Sequence, residues 1–288
     1  MKRTISRLSE ACTEVVTPVQ AGADIRYLYI SDIHLDNPHC DRALLRRHLD
    51  QALESNSLVF VFGDIVCAMQ NTKDPRAAKE DDPYQSSKYV NHLINDVVAF
   101  FRPYRDILAV MSDGNHETAF CKHYGVDLLA LVCQLLQAEG SPVQHMPYQG
   151  WVKHRYKQKH GGWSSCGASQ LTHYDHGRGG GGPVTRNIIE TNRRLARVEG
   201  ASCYVYGHVH EMWQLRTHRE RLTDQGNMGL PSQLHLQCGT YKQEYTAGNG
   251  FHMQRGGPAK PLGGWWLRHR LKIANGVREW HVSGEETF

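Results

Sequence analysis

Aspartate and histidine residues stand at the ends of apolar runs in this sequence, twice as close pairs. Asp32 and His34 close the stretch YLYISDIHLD, Asp64 ends a second apolar run, and His208 and His210 follow a third. Carboxylate and imidazole groups together suit Mn²⁺, Fe²⁺, Zn²⁺ or Ni²⁺, whereas Ca²⁺ and Mg²⁺ prefer sites built from oxygen atoms. The pattern therefore predicts a site for borderline divalent metal ions.

Two further groups of metal-binding residues also follow apolar runs. Asn115 and His116 lie in a Gly-Asn-His-Glu turn, and His173 and His176 close the stretch SQLTHYDHG. Counting Asn115 without His116, and one histidine of the last pair, the sequence offers seven candidate ligands. Seven ligands are too many for one tetrahedral ion. We therefore predict two ions that share a bridging carboxylate.

The apolar runs before these residues have the length and the β-branched or aromatic content of buried strands. In the first half of the chain, three such strands alternate with three amphipathic helices, which we predict over residues 41–54, 88–104 and 125–140. This alternation favours a parallel sheet with helical cover, in which ligand sites lie off the carboxyl ends of the strands. The candidate ligands stand at those ends.

The one-residue spacing within two of the pairs suggests how they reach one ion. In an extended chain, residues i and i+2 point to the same side. Asp32 and His34 are therefore predicted to project together from a rigid strand end, and His208 and His210 likewise.

The second half of the chain reads as short strands with Gly-rich turns, which predicts a second sheet, and as one basic amphipathic helix over residues 185–200. Residues 1–24 are polar and are predicted to form an irregular lead-in with a short helix. With no clear linker, residues 25–288 are predicted to form a single domain, and the charged segment 67–89 is either an insertion or a lid over the site.

Composition narrows the class of protein. The chain has 288 residues, is 40% hydrophobic and carries a formal net charge of +4, which suits an anionic substrate without demanding nucleic acid.

No two of the 8 cysteines lie three apart, so no zinc knuckle is indicated. The first residues lack the apolar core of a signal peptide, and no apolar run reaches the ~18 residues of a membrane span. We expect a cytoplasmic protein with reduced thiols and no membrane partner.

The order DxH, GD, GNHE, a lone His and GHxH resembles the pattern of the calcineurin-like metallophosphoesterases, over residues 27–210. The stretches YDHGRGGGGPVTRN and CGTYKQEY are similar to segments of small bacterial and bacteriophage members. The resemblance implies an α/β fold: a four-layer αββα sandwich of two mixed β-sheets flanked by helices, with the metal site at the carboxyl ends of the strands.

The resemblance also implies how the ligands divide. Asp32, His34 and His210 would hold the first metal; Asn115, His208 and one further histidine would hold the second; Asp64 would bridge both. His176 is favoured over His173 as the further ligand because Gly177 follows it directly, as the family pattern requires. Of the two divalent ions, Mn²⁺ is the first choice, with Fe²⁺, Zn²⁺ or Ni²⁺ as alternatives.

The implied chemistry is phosphoester hydrolysis. A hydroxide that bridges the two ions would attack phosphorus, and His116 would act near the leaving group as an acid or hydrogen-bond donor. Asn115 and His116 would contact substrate, and Arg178, beside the proposed ligand, is a further candidate. The leading substrates are small phosphodiesters or phosphomonoesters, nucleotides among them. The sequence leaves the oligomeric state open.

Two alternative functions stay open. A DNA or RNA nuclease of the same superfamily is supported by the basic balance and by the aromatic and basic stretch 151–160, which reads equally well as a solvated edge strand. A metal-binding scaffold without turnover is the other. A protein phosphatase is disfavoured, because Asp113 stands before Gly114 where those enzymes carry arginine.

Several of these residues also fit simple structural roles. Asp32 and Asp64 could each cap a helix, and Glu117 fits the start of the next helix, or a brace for a ligand, better than a metal ligand. The glycine run 179–182 fits a mobile loop better than a phosphate cradle.

Overall fold

The computed structural model describes residues 3–20, 22–69, 88–158, 169–180, 182, 184–245, 251–254, 256–274 and 277–288. Most of the predicted lid or insertion at 67–89 lies outside these described residues.

The described chain forms strands and helices in the order that a mixed α/β fold requires. The strands are β1 (Thr4–Ser9), β2 (Cys12–Val19), β3 (Asp24–Ile30), β4 (Leu58–Phe62), β5 (Leu108–Ser112), β6 (Gln144–Met146), β7 (Gln149–Gln158), β8 (Gln170–Asp175), β9 (Cys203–Tyr206), β10 (Trp213–His218), β11 (Arg221–Leu222), β12 (Met228–Gly229), β13 (Ser232–Gln237), β14 (Trp265–Ala274) and β15 (Val277–Glu286). The helices are α1 (Arg42–Glu54), α2 (Tyr89–Phe101), α3 (Asn115–Tyr124), α4 (Leu128–Ala138), α5 (Ile189–Leu195) and α6 (Phe251–Gln254), with a 3₁₀ turn at Arg102–Ile107.

Two large mixed sheets carry the fold. One has seven strands in the order β1-β2-β7-β8-β9-β13-β10, and the other has six in the order β15-β14-β3-β4-β5-β6. Strands β3 to β6 run parallel, as the alternation of strands and helices predicts, and β14 and β15 extend that sheet antiparallel. The short β11–β12 hairpin stands apart from both sheets.

The helices begin and end where their sequences supply caps. The Asp41 carboxylate accepts a hydrogen bond from Leu44 N at 2.9 Å at the start of α1, and Asp127 does the same for Ala130 N at the start of α4. Gly140, with φ 93°, takes the left-handed conformation after α4 that glycine adopts most readily. In the described part of the chain, no single helix is long and apolar enough to cross a membrane, and only the bent pair α3 and α4 passes a test of length and composition.

The sheets pack face to face, and helices cover their outer faces. Tyr29 and Phe60 of the six-stranded sheet lie in one buried cluster with Val152 and Val205 of the seven-stranded sheet. Full burial of one such side chain contributes roughly 1.5–3 kcal/mol. Helices α1, α2 and α4 cover the far face of the six-stranded sheet, and α5 packs on the far face of the other beside Tyr204. The expected αββα sandwich is confirmed.

The prediction of an irregular lead-in over residues 1–24 is wrong. Residues 4–9 and 12–19 form β1 and β2, and β2 pairs with β7 in parallel register over its whole length. Val15 and Val19 enter the core between the sheets. The β-branched content of β2 was the signal for a strand, and Glu14 hid it: this carboxylate is buried because it pairs with Lys153 at 3.2 Å and Arg155 at 3.1 Å.

Two other segment predictions change. For the stretch 151–160, the alternative of a solvated edge strand is wrong, because β7 lies between β2 and β8 inside the seven-stranded sheet. The helix predicted over 185–200 is confined to α5, because Arg186 and Asn187 have φ values of 44° and 67°, which a right-handed helix does not accommodate.

Candidate metal centre

The predicted ligands all follow the carboxyl ends of strands, and both sheets contribute. The six-stranded sheet supplies three positions and the seven-stranded sheet supplies two. These positions are Asp32 and His34 after β3, Asp64 after β4, Asn115 after β5, His176 after β8, and His208 and His210 after β9. Because the sheets face each other, these ends meet at one edge of the sandwich.

The backbone of five of these residues is left-handed. The φ angles are 53° at Asp32, 51° at His34, 51° at Asp64, 72° at His208 and 53° at His210. The left-handed conformation raises the free energy of a non-glycine residue by of order 1 kcal/mol or more. It persists only where surrounding contacts hold it. The prediction that these pairs project from an extended strand end is therefore wrong, since the ligands lie in turns beyond the strands.

Backbone hydrogen bonds hold the turned conformation. Asp32 N donates to Gly63 O at 3.1 Å, His34 N donates to Asp64 O at 3.0 Å, and Leu35 N donates to Ile65 O at 2.8 Å. The loop after β3 thus keeps pairing with the loop after β4. This places Asp32 and Asp64 side by side.

Glycines next to the ligands allow the loops to approach closely. A Cβ atom added at Gly63 would overlap the His176 ring, and one added at Gly114 would overlap the Asp64 carboxylate. A Cβ at Gly207 would meet Ser31 Oγ and Asp32 Oδ2. The glycine of each GD, GNHE and GH motif is therefore required by packing.

The first group of ligand atoms belongs to Asp32, His34 and His210, whose donor atoms all lie within 4.8 Å of one another. The two Nε2 atoms of His34 and His210 are 3.1 Å apart, and His210 Nε2 is 3.3 Å from Asp32 Oδ1. Three donors of mixed carboxylate and imidazole type thus face a common point, as a divalent ion requires.

The second group contains Asp64, His176 and His208, again within 4.8 Å of one another. His176 Nε2 lies 3.1 Å from Asp64 Oδ2 and 3.1 Å from Asn115 Oδ1. His208 Nδ1 lies 2.7 Å from the same Asn115 oxygen. Asp64 also shares a potential group with His34, so it stands between the two sets of donors.

The orientation of His176 fits metal binding. Its Nδ1–H donates to Phe62 O at 2.9 Å, which leaves the Nε2 lone pair to face the other donors. Metal-ligating histidines usually fix their second nitrogen in this way. The donor set and its orientation therefore fit divalent metal, with Asp64 between the two groups of donors.

Burial and charge set the protonation of these groups. Burial, followed by the neighbouring imidazole of His210, lowers the pKa of His34, and burial with His176 lowers that of His208. Burial would also lower the pKa of His176, but the carboxylates of Asp64 and Asp32 raise it to about 10. Burial would raise the pKa of Asp64, and the facing His176 lowers it instead. The lowered pKa values favour the neutral, metal-binding forms of His34 and His208, and the pKa of His176 is raised by the same carboxylates that stand among the donor atoms.

His116 stands at the mouth of the cluster. Its Nδ1–H donates to Cys67 O at 2.7 Å, and its backbone N–H donates to Asp64 Oδ1 at 3.0 Å. Its Nε2 lies 3.8 Å from Asp64 Oδ2, and its side chain is 20% exposed. The geometry leaves Nε2 to meet a group that enters from solvent.

The structure separates the two candidate histidines of β8. His176 lies among the ligand atoms. The ring of His173 instead packs against Trp151 and Tyr204, with ring centroids 4.9 Å and 6.1 Å apart. The Arg178 side chain is 60% exposed, and its Nη2 lies 3.9 Å from Asp175 Oδ2.

A further group of potential ligands, Asp113, Asp127 and His145, lies outside this cluster. His145 Nε2 is 2.9 Å from Asp113 Oδ1, and Asp127 is close enough to form a third potential ligand. One oxygen of Asp127 already caps α4. Asp113 is thus engaged with His145.

Glu117 is the main structural residue of the site. It lies in the first turn of α3 and is almost fully buried. Its carboxylate accepts from four backbone N–H groups, those of Asp64, Ile65, Val66 and Gly114, at distances of 2.7–3.1 Å. Burial and the Asp64 charge raise the pKa of Glu117 to about 8, against the pull of these donors. Glu117 thereby ties the GD loop to the GNHE turn.

Glu117→Ala is expected to lower the free energy of unfolding by about 3 kcal/mol or more, because four buried N–H groups lose their acceptor. Urea denaturation followed by circular dichroism measures this. Glu139→Ala is the matched control: Glu139 pairs with Arg102 at the surface at 2.8 Å, and its loss should leave the urea midpoint close to that of wild type. Equal effects of the two substitutions would contradict the role of Glu117.

Two positioning residues were missed from the sequence. The buried carboxylate of Asp36 accepts from the backbone N–H groups of Cys67 and Ala68, and the Cys67 carbonyl in turn holds His116. The Cys67 thiol lies 3.2 Å from His34 Nδ1. The only sequence signal was the position of Asp36 two residues after His34.

Comparison with known proteins adds a family and two structures. The model of the calcineurin-like phosphoesterases matches residues 25–212. The search of curated proteins gives no match. Vacuolar protein sorting 29 from Cryptosporidium parvum is 15% identical, with 92% of this chain and 99% of that chain covered and a TM-score of 0.34. Vps29 of Chaetomium thermophilum is 11% identical, with 91% and 96% covered and a TM-score of 0.35.

Proposed function

The chain belongs to the calcineurin-like phosphoesterase family, and we propose that it is a dinuclear metal-dependent hydrolase of small phosphodiesters or phosphomonoesters, nucleotides among them. The observation that carries the proposal is the convergence of two donor groups, one around Asp32 and one around His176, with Asp64 between them. Of the metals that accept these donors, Mn²⁺ is our first choice, ahead of Fe²⁺, Zn²⁺ and Ni²⁺.

Two divalent ions, when bound, would lower the pKa of a water molecule and neutralise charge on the phosphoryl oxygens. Asp32, His34 and His210 would hold the first ion, and Asn115, His176 and His208 would hold the second, with Asp64 shared. This division follows the two donor groups that the side chains form.

Two residues of the GNHE turn would act on the substrate. Asn115 directs Oδ1 at His176 and His208, which leaves its Nδ2 to donate a hydrogen bond to a phosphoryl oxygen. His116 has its Nδ1–H held by the Cys67 carbonyl, so as the imidazolium it would carry a second proton on Nε2 and could give that proton to the departing alkoxide, returning to the neutral Nδ1–H form. The hydrogen bond to the carbonyl orients the ring before substrate arrives.

The proposal is tested by loading the full chain with Mn²⁺, Zn²⁺ or Ni²⁺, or with Fe²⁺ under anaerobic conditions. The loaded protein is assayed on bis-p-nitrophenyl phosphate, p-nitrophenyl phosphate, nucleotides and single-stranded DNA. We expect turnover of the small esters that exhaustive chelation abolishes and metal restores. Activity confined to single-stranded DNA, with a steep dependence on salt, would identify a nuclease instead. Two bound metals without turnover on any ester would identify a metal-binding scaffold.

A cytoplasmic location and the absence of a membrane partner stay predictions. The same assay at several protein concentrations, with light scattering, would establish the oligomeric state in which turnover occurs.

A further inference from the structure

A cavity of about 670 Å³ opens beside the strand end that carries His176. Its lining includes the side chains of Arg178, Arg193 and Arg197, together with Glu190 and the apolar Ile189. Ligand cavities in proteins commonly measure 300–1,000 Å³, so the space is that of a small molecule. None of the arginines belongs to the donor groups described above.

The cavity is joined to the metal centre by one residue. Gly177 follows His176 and precedes Arg178, with φ 112°. A Cβ atom at Gly177 would come within 3.2 Å of the His208 Cβ, so this backbone passes directly against a ligand residue. The Tyr148 hydroxyl donates to Gly177 O and holds the segment. Arg178 therefore starts at the edge of the centre.

A buried ion pair underlies the cavity. Asp175 is 1% exposed, and its Oδ2 lies 3.7 Å from Arg194 Nη1. The Arg194 side chain is equally buried, with its guanidinium 4.0 Å from the ring centroid of Tyr206. Asp175 and Arg194 thus balance each other inside the fold.

The arginines around the cavity outnumber the carboxylates that pair with them. Arg178 and Arg197 also lie within ion-pair distance of Asp175 Oδ2, at 3.9 Å and 4.0 Å, so this one carboxylate faces three arginines; the side chains of Arg178 and Arg197 are 60% and 50% exposed. Arg193 pairs with Glu190 on the same turn of helix α5. Once each carboxylate is matched with one arginine, Arg178 and Arg197 are left as a surplus of two positive charges.

We infer that the arginine cavity binds a second anionic group of the substrate, so that the preferred substrate is a small phosphoester that carries another phosphate on its non-reacting part. This inference rests on the proposed function. Guanidinium groups bind phosphate with charge-assisted, often paired hydrogen bonds, and Ile189 offers apolar contact to the body of the molecule. The volume of about 670 Å³ is that of a small molecule.

The test compares two substrates that differ by one phosphate, adenosine 3′,5′-bisphosphate and adenosine 5′-monophosphate. Wild type is expected to show the higher kcat/KM with the bisphosphate. In the double variant Arg178→Gln and Arg197→Gln, the ratio of the two kcat/KM values should fall at least ~10-fold, mainly through KM. Lysine at both positions keeps the charge and should retain most of the ratio. Arg221→Gln, on the exposed hairpin strand β11, is the matched control and should leave the ratio unchanged.

Calorimetric binding of adenosine 3′,5′-bisphosphate separates this inference from the proposed function. An active enzyme whose substrate ratio is the same in wild type and in the glutamine double variant would overturn the arginine cavity alone. A loss confined to single-stranded DNA would overturn it in favour of a polynucleotide. A protein that binds the bisphosphate through these arginines without hydrolysing any ester would support the cavity and refute the hydrolase. A protein that neither binds the bisphosphate nor hydrolyses any ester would refute both.

Discussion

Asp64→Asn is expected to reduce turnover of bis-p-nitrophenyl phosphate by at least ~10³-fold, with loss of bound metal. Asp64 stands between the two donor groups, and asparagine offers one neutral oxygen where two charged ones are needed. Metal ions supply several kcal/mol of charge stabilisation in such reactions, and each 1.36 kcal/mol is a factor of ten in rate. Elemental analysis of the purified protein, together with steady-state kinetics, measures both effects.

The substitution is conservative for the fold, which makes the result interpretable. An asparagine oxygen can still accept the hydrogen bond that His116 N donates at 3.0 Å to Asp64 Oδ1. Asp106→Asn is the control, because the Asp106 side chain is 76% exposed in the turn before β5 and should be silent in both measurements. Full metal content with unchanged turnover in the Asp64 variant would remove the bridging role.

His116→Ala is expected to lower kcat by ~10² or more while both metals stay bound. The reason is the loss of a proton donor at the leaving group, since general acid catalysis contributes about 10²–10⁴-fold. His116 is oriented by Cys67 O and is predicted not to be a ligand, so metal affinity should not follow the rate. The measurement is kcat and KM on esters whose leaving groups differ in basicity, at saturating metal.

The series of esters with different leaving groups distinguishes a proton donor from other roles of His116. If His116 protonates the alkoxide, the variant should lose most on poor leaving groups and least on p-nitrophenolate. His123→Ala, an exposed histidine on the same helix α3, is the control and should match wild type. A uniform loss across the series, or a parallel loss of metal, would give His116 a different role.

Much of the architecture could be predicted because local patterns and topology agree. The alternation of buried strands with amphipathic helices indicated the parallel strands β3 to β5, and Asp41 and Gly140 mark helix ends that the structure keeps. The end of each strand could be read as a site position because polar residues interrupt an apolar run there.

The N-terminal strands were missed for a physical reason. A buried Glu14 reads as a surface residue until its partners on β7 are known, and Lys153 and Arg155 lie more than a hundred positions away in the sequence. Pairing of this kind is a long-range property, so no local pattern of residues 1–24 reports it.

The conformation of the ligand residues was missed for a related reason. Spacing alone suggests an extended pair such as Asp32 and His34, but the left-handed turns are imposed by the neighbouring loop through Gly63 O and Asp64 O. The bracing by Glu117 depends on the same meeting of loops. Sequence therefore indicates which residues gather, whereas tertiary contacts decide how each is held.

The left-handed residues have a consequence for the history of such a chain. Glycine at any of the five left-handed positions would relieve backbone strain. A substitution that destroys the metal centre can therefore raise the free energy of unfolding. Natural proteins keep such frustrated positions only while selection for function opposes their repair. Asp32, His34, Asp64, His208 and His210 would then be the first residues to drift in a descendant that no longer needed the reaction.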